Sequence, residues 1–272
     1  MRRKKKNHRI LIPLALLLVG FSTGTHQPAD NFCGIRNIAF KVDEEVSFTV
    51  YYAVAGIYVN AGNATFTSKL EVVNNRPVYH VTGDGKTNSS YDWIYKVRDK
   101  YESYIDTATM QPLRFIRNVN ENGYKKYQNI TFNKSANTAV AQEGVFKVPP
   151  CVQDVVSAMY YARNINFSQL KPEDKIPFSM FLDNEVFNLY IRYLGKEIIK
   201  TKYGKFNALK IKPLLIKGTI FEGGEDMTVW VSDDANHIPV RVESPIVIGK
   251  VKIDMMSYRN LRHPLTSLIK RR

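Results

Sequence analysis

The sequence predicts a mainly β protein in which an antiparallel, strongly curved sheet, forming an open barrel or a sandwich, carries one principal amphipathic helix near residues 152–163. Two observations indicate this class. Short segments rich in β-branched and aromatic residues recur about every 8–12 residues with turn-forming clusters between them, as in sandwiches and barrels. A single segment breaks this alternation and has the apolar spacing of a helix.

The first half of the chain reads as a series of hairpins. Residues 74–77 and 122–123 have the composition of tight turns, and Asn-Gly at 122–123 is a strong hairpin signal. The predicted strands are 46–52, 62–73, 78–83, 101–106, 113–119, 124–132, 138–142 and 144–148. In the second of them, four apolar residues alternate with polar ones, so we expect them to share one face: Ala64, Phe66, Leu70 and Val72.

The helix follows Pro149 and Pro150. Its apolar residues recur at intervals of three and one, which places them on one side of a helix: Val152, Val155, Val156, Met159 and Tyr160. Asp154 lies in the first turn, where a negative charge complements the helix dipole. We expect this helix to pack on a sheet and to be tethered at its start by Cys151.

Strands resume after residue 175. The predicted strands of the second half are 176–182, 186–194, 206–211, 214–221, 227–231, 238–242 and 247–255. Turn-forming residues separate them at 183–184, 202–204, 223–224 and 233–236. The tail at 260–272 is basic and weakly patterned, and we expect it to be frayed.

The N-terminus has the features of a secretory signal peptide. A basic segment that contains Arg2 and Arg9 precedes an apolar run at 10–21, and small or polar residues follow. A membrane-spanning helix needs roughly 20 apolar residues, so this shorter run favours a cleaved signal over residues 1–25, with an uncleaved anchor as the alternative. We therefore expect an exported protein, in the periplasm or associated with the outer envelope.

The remaining chain is organised around the helix. We expect one β-rich domain over residues 26–260, or two β lobes joined at residues 152–175, followed by a basic tail at 261–272. Without the six basic residues of the signal, 33 basic and 25 acidic residues give a net charge of +8. Such a surface suits anionic lipid headgroups or glycans, so peripheral membrane contact is an expected mode of binding. Nucleic acid is not an expected partner, because no recognition motif for it occurs.

Cys33 and Cys151 are the two cysteines of the chain. In an oxidising compartment an isolated pair indicates one disulfide. A disulfide that closes so long a loop would raise the free energy of the unfolded chain by roughly 4 kcal/mol. The alternatives are two free buried thiols or a redox pair. The sequence has no CxxC motif, which would be the signature of redox chemistry.

Motifs of catalysis are missing from the sequence, which contains no GxSxG, HExxH, Walker loop or GxGxxG. We expect no catalytic residue, no cofactor and no metal. The acidic and histidine cluster at 233–237 has ligand chemistry for a divalent cation, but its position between two strands favours a hairpin turn. The carboxylates at 222–226 likewise favour a solvated turn, with a glycosidase-like pair as the alternative.

Aromatic residues carry the main functional hypothesis. Tyrosine is frequent, with 16 residues, and Tyr and Trp combine apolar area with a polar group, as binding surfaces need. The alternative is that these residues form cross-strand pairs of the core and rim. The residues we assign to a ligand site are Tyr52, Tyr58, Phe66, Trp93 and Trp230.

Five segments resemble one family, the domain of unknown function 3108: residues 33–40, 45–52, 60–66, 151–164 and 227–244. The resemblance covers most of the chain and implies a secreted bacterial protein of unassigned activity, without catalytic residues to transfer. The strand, Asp-rich turn and Ile-Pro-Val sequence near residue 238 are also similar, more loosely, to periplasmic lipoprotein carriers and lipid-binding folds. That similarity implies a curved sheet that holds acyl chains.

The sequence leads to three functional hypotheses. The first is a non-enzymatic envelope protein that binds a hydrophobic or amphipathic ligand, namely a lipid, an acyl chain or a lipoprotein segment, on the concave face of its sheet. The second is a scaffolding module that binds another envelope protein through strand edges and aromatic patches. The third is a hydrolase of envelope glycans, which would need two convergent carboxylates in one cleft.

Overall fold

The computed structural model describes residues 33–54, 57–216, 223–246 and 249–271. The strands of these residues form one antiparallel sheet of 15 strands, curled but not closed. The predicted fold class is therefore confirmed. The predicted signal peptide, residues 1–25, lies outside the described residues.

Most strands lie close to their predicted positions. In chain order the strands are β1 Glu45–Val54, β2 Ile57–Val73, β3 Arg76–Thr87, β4 Arg98–Asp106, β5 Pro112–Glu121, β6 Tyr124–Asn133, β7 Thr138–Ala141, β8 Gly144–Lys147, β9 Lys175–Leu182, β10 Glu185–Lys200, β11 Gly204–Pro213, β12 Thr228–Ser232, β13 Pro239–Pro245, β14 Lys250–Arg259 and β15 Leu268–Arg271. The helix is α1, Val155–Ala162, and two 3-10 turns lie at Ser89–Tyr91 and Phe167–Gln169.

The strand order joins the two halves of the chain edge to edge. It runs β8-β7-β6-β5-β4-β3-β2-β1-β14-β13-β12-β11-β10-β9, with β15 pairing β11. Neighbours in sequence are mostly hairpin partners, and β1 against β14 is the pairing that links the halves. Three hairpins turn through two residues with positive φ, the backbone of a type I′ turn that suits Asn and Gly: 74–75, 122–123 and 183–184.

Antiparallel pairing sends successive connections to opposite ends of the sheet. We call the end with the β1–β2, β3–β4, β5–β6 and β13–β14 connections the upper end, and the end with the β2–β3, β4–β5, β10–β11 and β12–β13 connections the lower end. The helix runs inside the curl and contacts β4 and β9, so it packs against both halves. Buried side chains of the inner face surround it in one large apolar cluster, and a smaller cluster lies under β1, β11, β13 and β14.

The helix starts later than predicted, at Val155 instead of residue 152, and Asp154 caps it instead of lying in its first turn. The Asp154 carboxylate accepts the N–H groups of Val156 and Ser157 at 2.8 and 2.7 Å, and the Ser157 hydroxyl accepts the N–H of Asp154, which completes a capping box. The Ser103 hydroxyl donates to the same carboxylate from β4 at 2.6 Å. These bonds fix the helix to the sheet, although burial raises the pKa of Asp154 to about 6.

The lower end is closed by polar contacts between the helix and the segment before β1. Arg163 forms a bidentate, buried ion pair with Glu44, and its Nε donates to the Asn236 carbonyl at 3.0 Å. Asn164 accepts the N–H groups of Ile38 and Ala39. The disulfide between Cys33 and Cys151 is present, with the two Cα atoms 5.4 Å apart, which confirms the predicted pairing.

Three expectations about strands need correction. Leu70 and Val72 share a face with Ala64 and Phe66, but they are 55% and 70% exposed because β2 extends past the core there. The expected fraying of the tail is wrong at Leu268–Arg271, which forms β15 against β11. The strand expected at 214–221 is a single bridge between Leu215 and Gly224, and residues 217–222 lie outside the described ranges.

No helix in the described ranges is both long enough and apolar enough to cross a membrane.

Candidate functional site

An apolar cleft of about 230 Å³ lies on the inner face, between α1 and strands β2 to β4. The sheet supplies its floor and the helix supplies one wall. The lining residues are Ala64, Phe66, Gly83, Asp84, Gly85, Asp99, Tyr101, Val155, Val156 and Met159. Gly83, Gly85 and Asp99 lie near the end of β3 and the start of β4, beside the β3–β4 connection, whereas Ala64 and Phe66 lie midway along β2. The cleft therefore lies towards the upper end.

Strand β3 contributes two glycines to the floor. Gly83 pairs with Phe66 on one side and with Tyr101 on the other. A Cβ atom on Gly83 would lie 2.7 Å from Cε1 of Phe66, so the Phe66 ring covers this glycine. The missing side chain thus allows the aromatic ring to lie flat across the sheet, and the ring forms part of the floor.

Gly85 leaves space that no other residue fills. It pairs with Ala64 and Asp99, and a Cβ atom built on it would meet no atom within 4 Å. Its backbone is not in the left-handed region, so the conformation does not require glycine here. The effect of Gly85 is to leave room between the sheet and the helix.

The helix wall is apolar and partly open to solvent. Val155, Val156 and Met159 are spaced so that they share one side of α1. Val156 is buried, whereas Met159 is 40% exposed. A flexible thioether at an exposed wall can adapt to ligands of different shape.

The polar end of the cleft is formed by Asp99. Its Oδ1 accepts the N–H of Asn120 at 3.0 Å. Burial, together with the charge of Glu121, raises the pKa of Asp99 to about 6. Burial and the nearby carboxylates also raise the pKa of Tyr101 to about 12, so this hydroxyl stays protonated and can donate a hydrogen bond.

The geometry of this carboxyl pair bears on the hydrolase hypothesis. Retaining glycosidases hold their carboxyls about 5–5.5 Å apart, and inverting ones hold them about 6.5–9.5 Å apart. Glu121 acts on Asp99 through its charge, but it is not among the residues that line the cleft. The cleft therefore does not present Asp99 and Glu121 as two convergent carboxylates, and the hydrolase hypothesis stays a prediction.

Of the five residues assigned to a ligand site from the sequence, Phe66 lines the cleft. Tyr52 lies on β1, and its ring edge lies 3.3 Å from the position of a Cβ atom on Gly249. Tyr58 is 40% exposed near the start of β2, with Lys252 Nζ 3.9 Å from its ring centroid. Both tyrosines lie towards the upper end, outside the cleft lining.

The two tryptophans are in separate places. Trp93 lies in the β3–β4 connection and is 82% exposed, and its Nε1 donates to the Ser90 carbonyl at 3.0 Å. Trp230 is on β12, where its Nε1 donates to the Glu197 carboxylate and Lys210 lies over its ring. The five residues therefore do not form one site, and the ligand role of those outside the cleft stays a prediction.

Sequence reasoning missed the residues that create the cleft. Gly83, Gly85 and Asp99 carry no aromatic or catalytic signature. The available signal is Gly-Asp-Gly inside a strand, because glycine in a strand interior marks a bulge or a place where another group approaches closely. Val155, Val156 and Met159, the helix residues of the wall, belong to the apolar side predicted for the helix, and the structure places them on α1.

The cluster at 233–237 forms the predicted turn. The Asp234 carboxylate accepts bonds from Ser232, Asn236 and Ser267, and Nδ1 of His237 bonds to the Arg163 carbonyl. Within the described ranges, no group of three or more His, Cys, Asp or Glu side chains is arranged to hold a metal ion. Glu222 lies outside these ranges, and Glu225 forms an ion pair with Arg192.

Comparisons with known proteins agree with this architecture. Residues 47–256 match the model of the family described as "Protein of unknown function (DUF3108)". A crystal structure of a β-barrel-like protein of another domain of unknown function, DUF1849, from Brucella abortus aligns with a TM-score of 0.54 at 6% identity, covering 82% of this chain and 99% of that one. This likeness shows the fold alone.

Two further solved structures align less well. A candidate lipoprotein from Parabacteroides distasonis has a TM-score of 0.37 at 13% identity, covering 82% of this chain and 100% of its own. A candidate exported protein with a YmcC-like fold from Bacteroides fragilis has a TM-score of 0.33 at 9% identity, covering 83% and 99%. No curated protein matches the sequence.

Proposed function

The chain belongs to the DUF3108 family of proteins of unknown function, and from this premise we propose that it is an exported envelope protein that binds the apolar part of an amphipathic ligand in the cleft beside α1. The ligand class is a lipid, an acyl chain or the acylated segment of a lipoprotein. The space at Gly85, between an apolar floor and an apolar helix wall, is the observation that carries this proposal.

The size of the cleft limits the ligand. Pockets for drug-sized molecules have volumes of roughly 300–1,000 Å³, and this one has about 230 Å³. It suits one narrow apolar chain better than a lipid with several chains inside. Its position at the upper end leaves the rest of such a ligand in solvent, in a membrane or in contact with a partner.

The polar end of the cleft supports an amphipathic ligand over a purely apolar one. Asp99 accepts hydrogen bonds when ionised and donates one when protonated, and the Tyr101 hydroxyl is protonated at neutral pH. These groups lie beside the apolar floor. A ligand with an amine, hydroxyl or amide next to its apolar chain would satisfy both kinds of contact.

Export is supported by the N-terminal sequence. A basic segment, a short apolar run and small residues follow one another over residues 1–25. The disulfide agrees with this, because structural disulfides persist in oxidising compartments such as the periplasm.

Native mass spectrometry of the protein purified gently from the cell envelope, combined with organic extraction and lipid analysis, tests the proposal. We expect a stoichiometric adduct whose apolar part is a single chain. Gly85→Leu should reduce its occupancy at least tenfold, because a Cβ atom at this position meets no atom within 4 Å and the rest of the added side chain takes up space in the cleft.

Lys69→Leu is the matched control. Lys69 lies on β2, faces the side opposite Ala64 and Phe66 and is exposed, so the same new side chain should leave occupancy unchanged. A wild-type protein that has only its apo mass and gains no adduct on titration with lipid would contradict the proposal. So would an adduct that persists in Gly85→Leu.

A further inference from the structure

We propose that the upper end of the sheet docks on an anionic membrane surface through the connection between β3 and β4, residues 88–97, which we call the aromatic loop. This inference goes beyond ligand binding in the cleft and stands without it. It rests on exposed apolar side chains, on the contacts that hold the loop, and on the charges around it.

The aromatic loop exposes large apolar side chains at its tip. Trp93, Ile94 and Tyr95 are 82%, 56% and 38% exposed. Ile57, near the β1–β2 connection at the same end, is 68% exposed, and Tyr58 beside it is 40% exposed. Scattered single apolar residues are ordinary on protein surfaces, whereas a group of adjacent ones marks an interaction site.

The loop is held in place by polar contacts on both sides. The Asp92 carboxylate binds the Arg98 guanidinium at 2.6 Å and accepts the Thr87 hydroxyl at 2.7 Å. Asn88 donates to the Asn60 carbonyl of β2 at 2.8 Å. A loop fixed in this way presents its apolar tip without first losing conformational entropy, which favours binding.

A second anchor comes from the other side of the loop. The N–H of Asn122, in the β5–β6 turn, donates to the Lys96 carbonyl at 2.7 Å. The loop is thus tied to β2 and to β5, and its tip lies between these ties. This arrangement orients Trp93 and Ile94 away from the sheet, as their exposure shows.

Unpaired positive charges surround the aromatic loop. Lys86, Lys96 and Lys125 are exposed and lie next to the loop or on the hairpin tied to it, and none forms an ion pair with a described residue. Lys250 and Lys252, across β1, lie over the Tyr58 ring at 5.3 and 3.9 Å. Each lysine near an anionic bilayer surface strengthens binding to it roughly fivefold.

The combination of exposed aromatic residues with surrounding lysines fits a membrane interface better than the surface of a protein partner. Trp and Tyr concentrate at the headgroup level of bilayers, where an apolar ring with a polar group is most favourable. Basic residues around an apolar tip match the negative surface potential of anionic lipids. A docked upper end would also place the cleft next to the bilayer.

Tryptophan fluorescence provides a direct test, because the chain has two tryptophans. In Trp230→Phe the remaining tryptophan is Trp93. We expect vesicles of phosphatidylethanolamine and phosphatidylglycerol to shift the Trp93 emission to the blue. Lipids with brominated chains should quench this emission. In Trp93→Phe the signal comes from Trp230, which should respond to neither. An unchanged Trp93 signal with vesicles would overturn the proposal.

Vesicle flotation measures the contribution of the tip. The double substitution Trp93→Ser with Ile94→Ser should weaken partitioning at least tenfold. Val72→Ser, which removes an apolar residue that is 70% exposed at the lower end, should leave partitioning unchanged. An equal loss in the Val72 variant would show that binding is not specific to the loop and would contradict the proposal.

The contribution of positive charge is tested with Lys96→Gln and with vesicles of phosphatidylcholine alone. Loss of one lysine should weaken binding to anionic vesicles roughly fivefold, with no effect on the neutral vesicles. Flotation that is independent of lipid charge would overturn the choice of an anionic surface. Saturable binding of the aromatic loop to a purified envelope protein, with no vesicle binding, would assign the loop to a protein partner and overturn the membrane.

Discussion

The two ends of the curled sheet are built on different physical principles. At the lower end, the segment before β1, the end of α1 and the β12–β13 turn are joined by a buried Arg163–Glu44 ion pair and by side-chain bonds to backbone groups. At the upper end, the interior retains the space at Gly85, and the aromatic loop exposes Trp93 and Ile94.

This contrast separates residues that serve stability from residues available for binding. Glu44, Arg163 and Asn164 at the lower end are buried and bonded to specific partners, and removing one partner leaves another buried and unpaired. At the upper end the exposed apolar side chains bury little surface in the fold, so their removal has little effect on folding. Substitutions at the lower end should therefore change the free energy of unfolding, and those at the upper end should change binding.

The largest expected effect comes from the disulfide at the lower end. Cys33 and Cys151 are 118 residues apart in sequence. Cross-linking a loop of this length destabilises the unfolded chain by about 5 kcal/mol in the entropic model, slightly more than the roughly 4 kcal/mol expected from the sequence. Replacing both cysteines by serine should reduce the free energy of unfolding by about that amount, measured by urea denaturation. Reduction of the wild-type protein should give the same loss, and an effect below about 1 kcal/mol would show that the disulfide does not hold the lower end together.

The next effect comes from the buried ion pair. Arg163→Ala should cost about 4 kcal/mol, because it leaves the Glu44 carboxylate buried without its partner. The double substitution Glu44→Leu with Arg163→Met removes both charges and should cost much less. Denaturant titration of the two variants measures the difference, and equal losses would indicate that packing, not the unpaired charge, dominates at this end.

Much of the fold could be predicted from local sequence because local chemistry determines it. The turns at 122–123 and 183–184 require positive φ at successive residues, and their Asn, Asp and Gly residues adopt it readily. The helix at Val155–Ala162 has its apolar spacing and its Asp154 cap in the sequence itself. The tail was misjudged because β15 is only four residues long and depends on a distant partner, β11.

The candidate site was harder to predict because register creates it. Gly85 is important only because β2 and β4 place Ala64 and Asp99 beside it and α1 lies above it. These neighbours are distant from Gly85 in sequence, and only the fold brings them together. Selecting aromatic residues by type found Phe66, whose ring covers Gly83, and also selected Trp93 and Trp230, which lie apart from the cleft.

The smallest expected effect concerns Asp99, at the polar end of the cleft. Its pKa is raised from a usual value of about 3.9 to about 6, chiefly by burial. Between these values the folded state binds more protons than the unfolded state, so stability falls as the pH rises from about 4 to about 6. The full difference corresponds to roughly 3 kcal/mol, which solvent screening reduces to about 1 kcal/mol because Asp99 is only half-buried.

Asp99→Asn keeps an acceptor for the Asn120 N–H and removes the charge. It should raise the free energy of unfolding by about 1 kcal/mol at pH 7 and have no effect near pH 4, where the wild-type carboxyl is protonated in the folded state. Denaturant titrations over this pH range measure both values. A constant offset at every pH would mean that Asp99 acts through packing, and the upper end would then resemble the lower end in how its polar groups contribute to the fold. A gain confined to high pH would instead show that Asp99 is held in the cleft at a cost to stability, as expected of a group that serves binding.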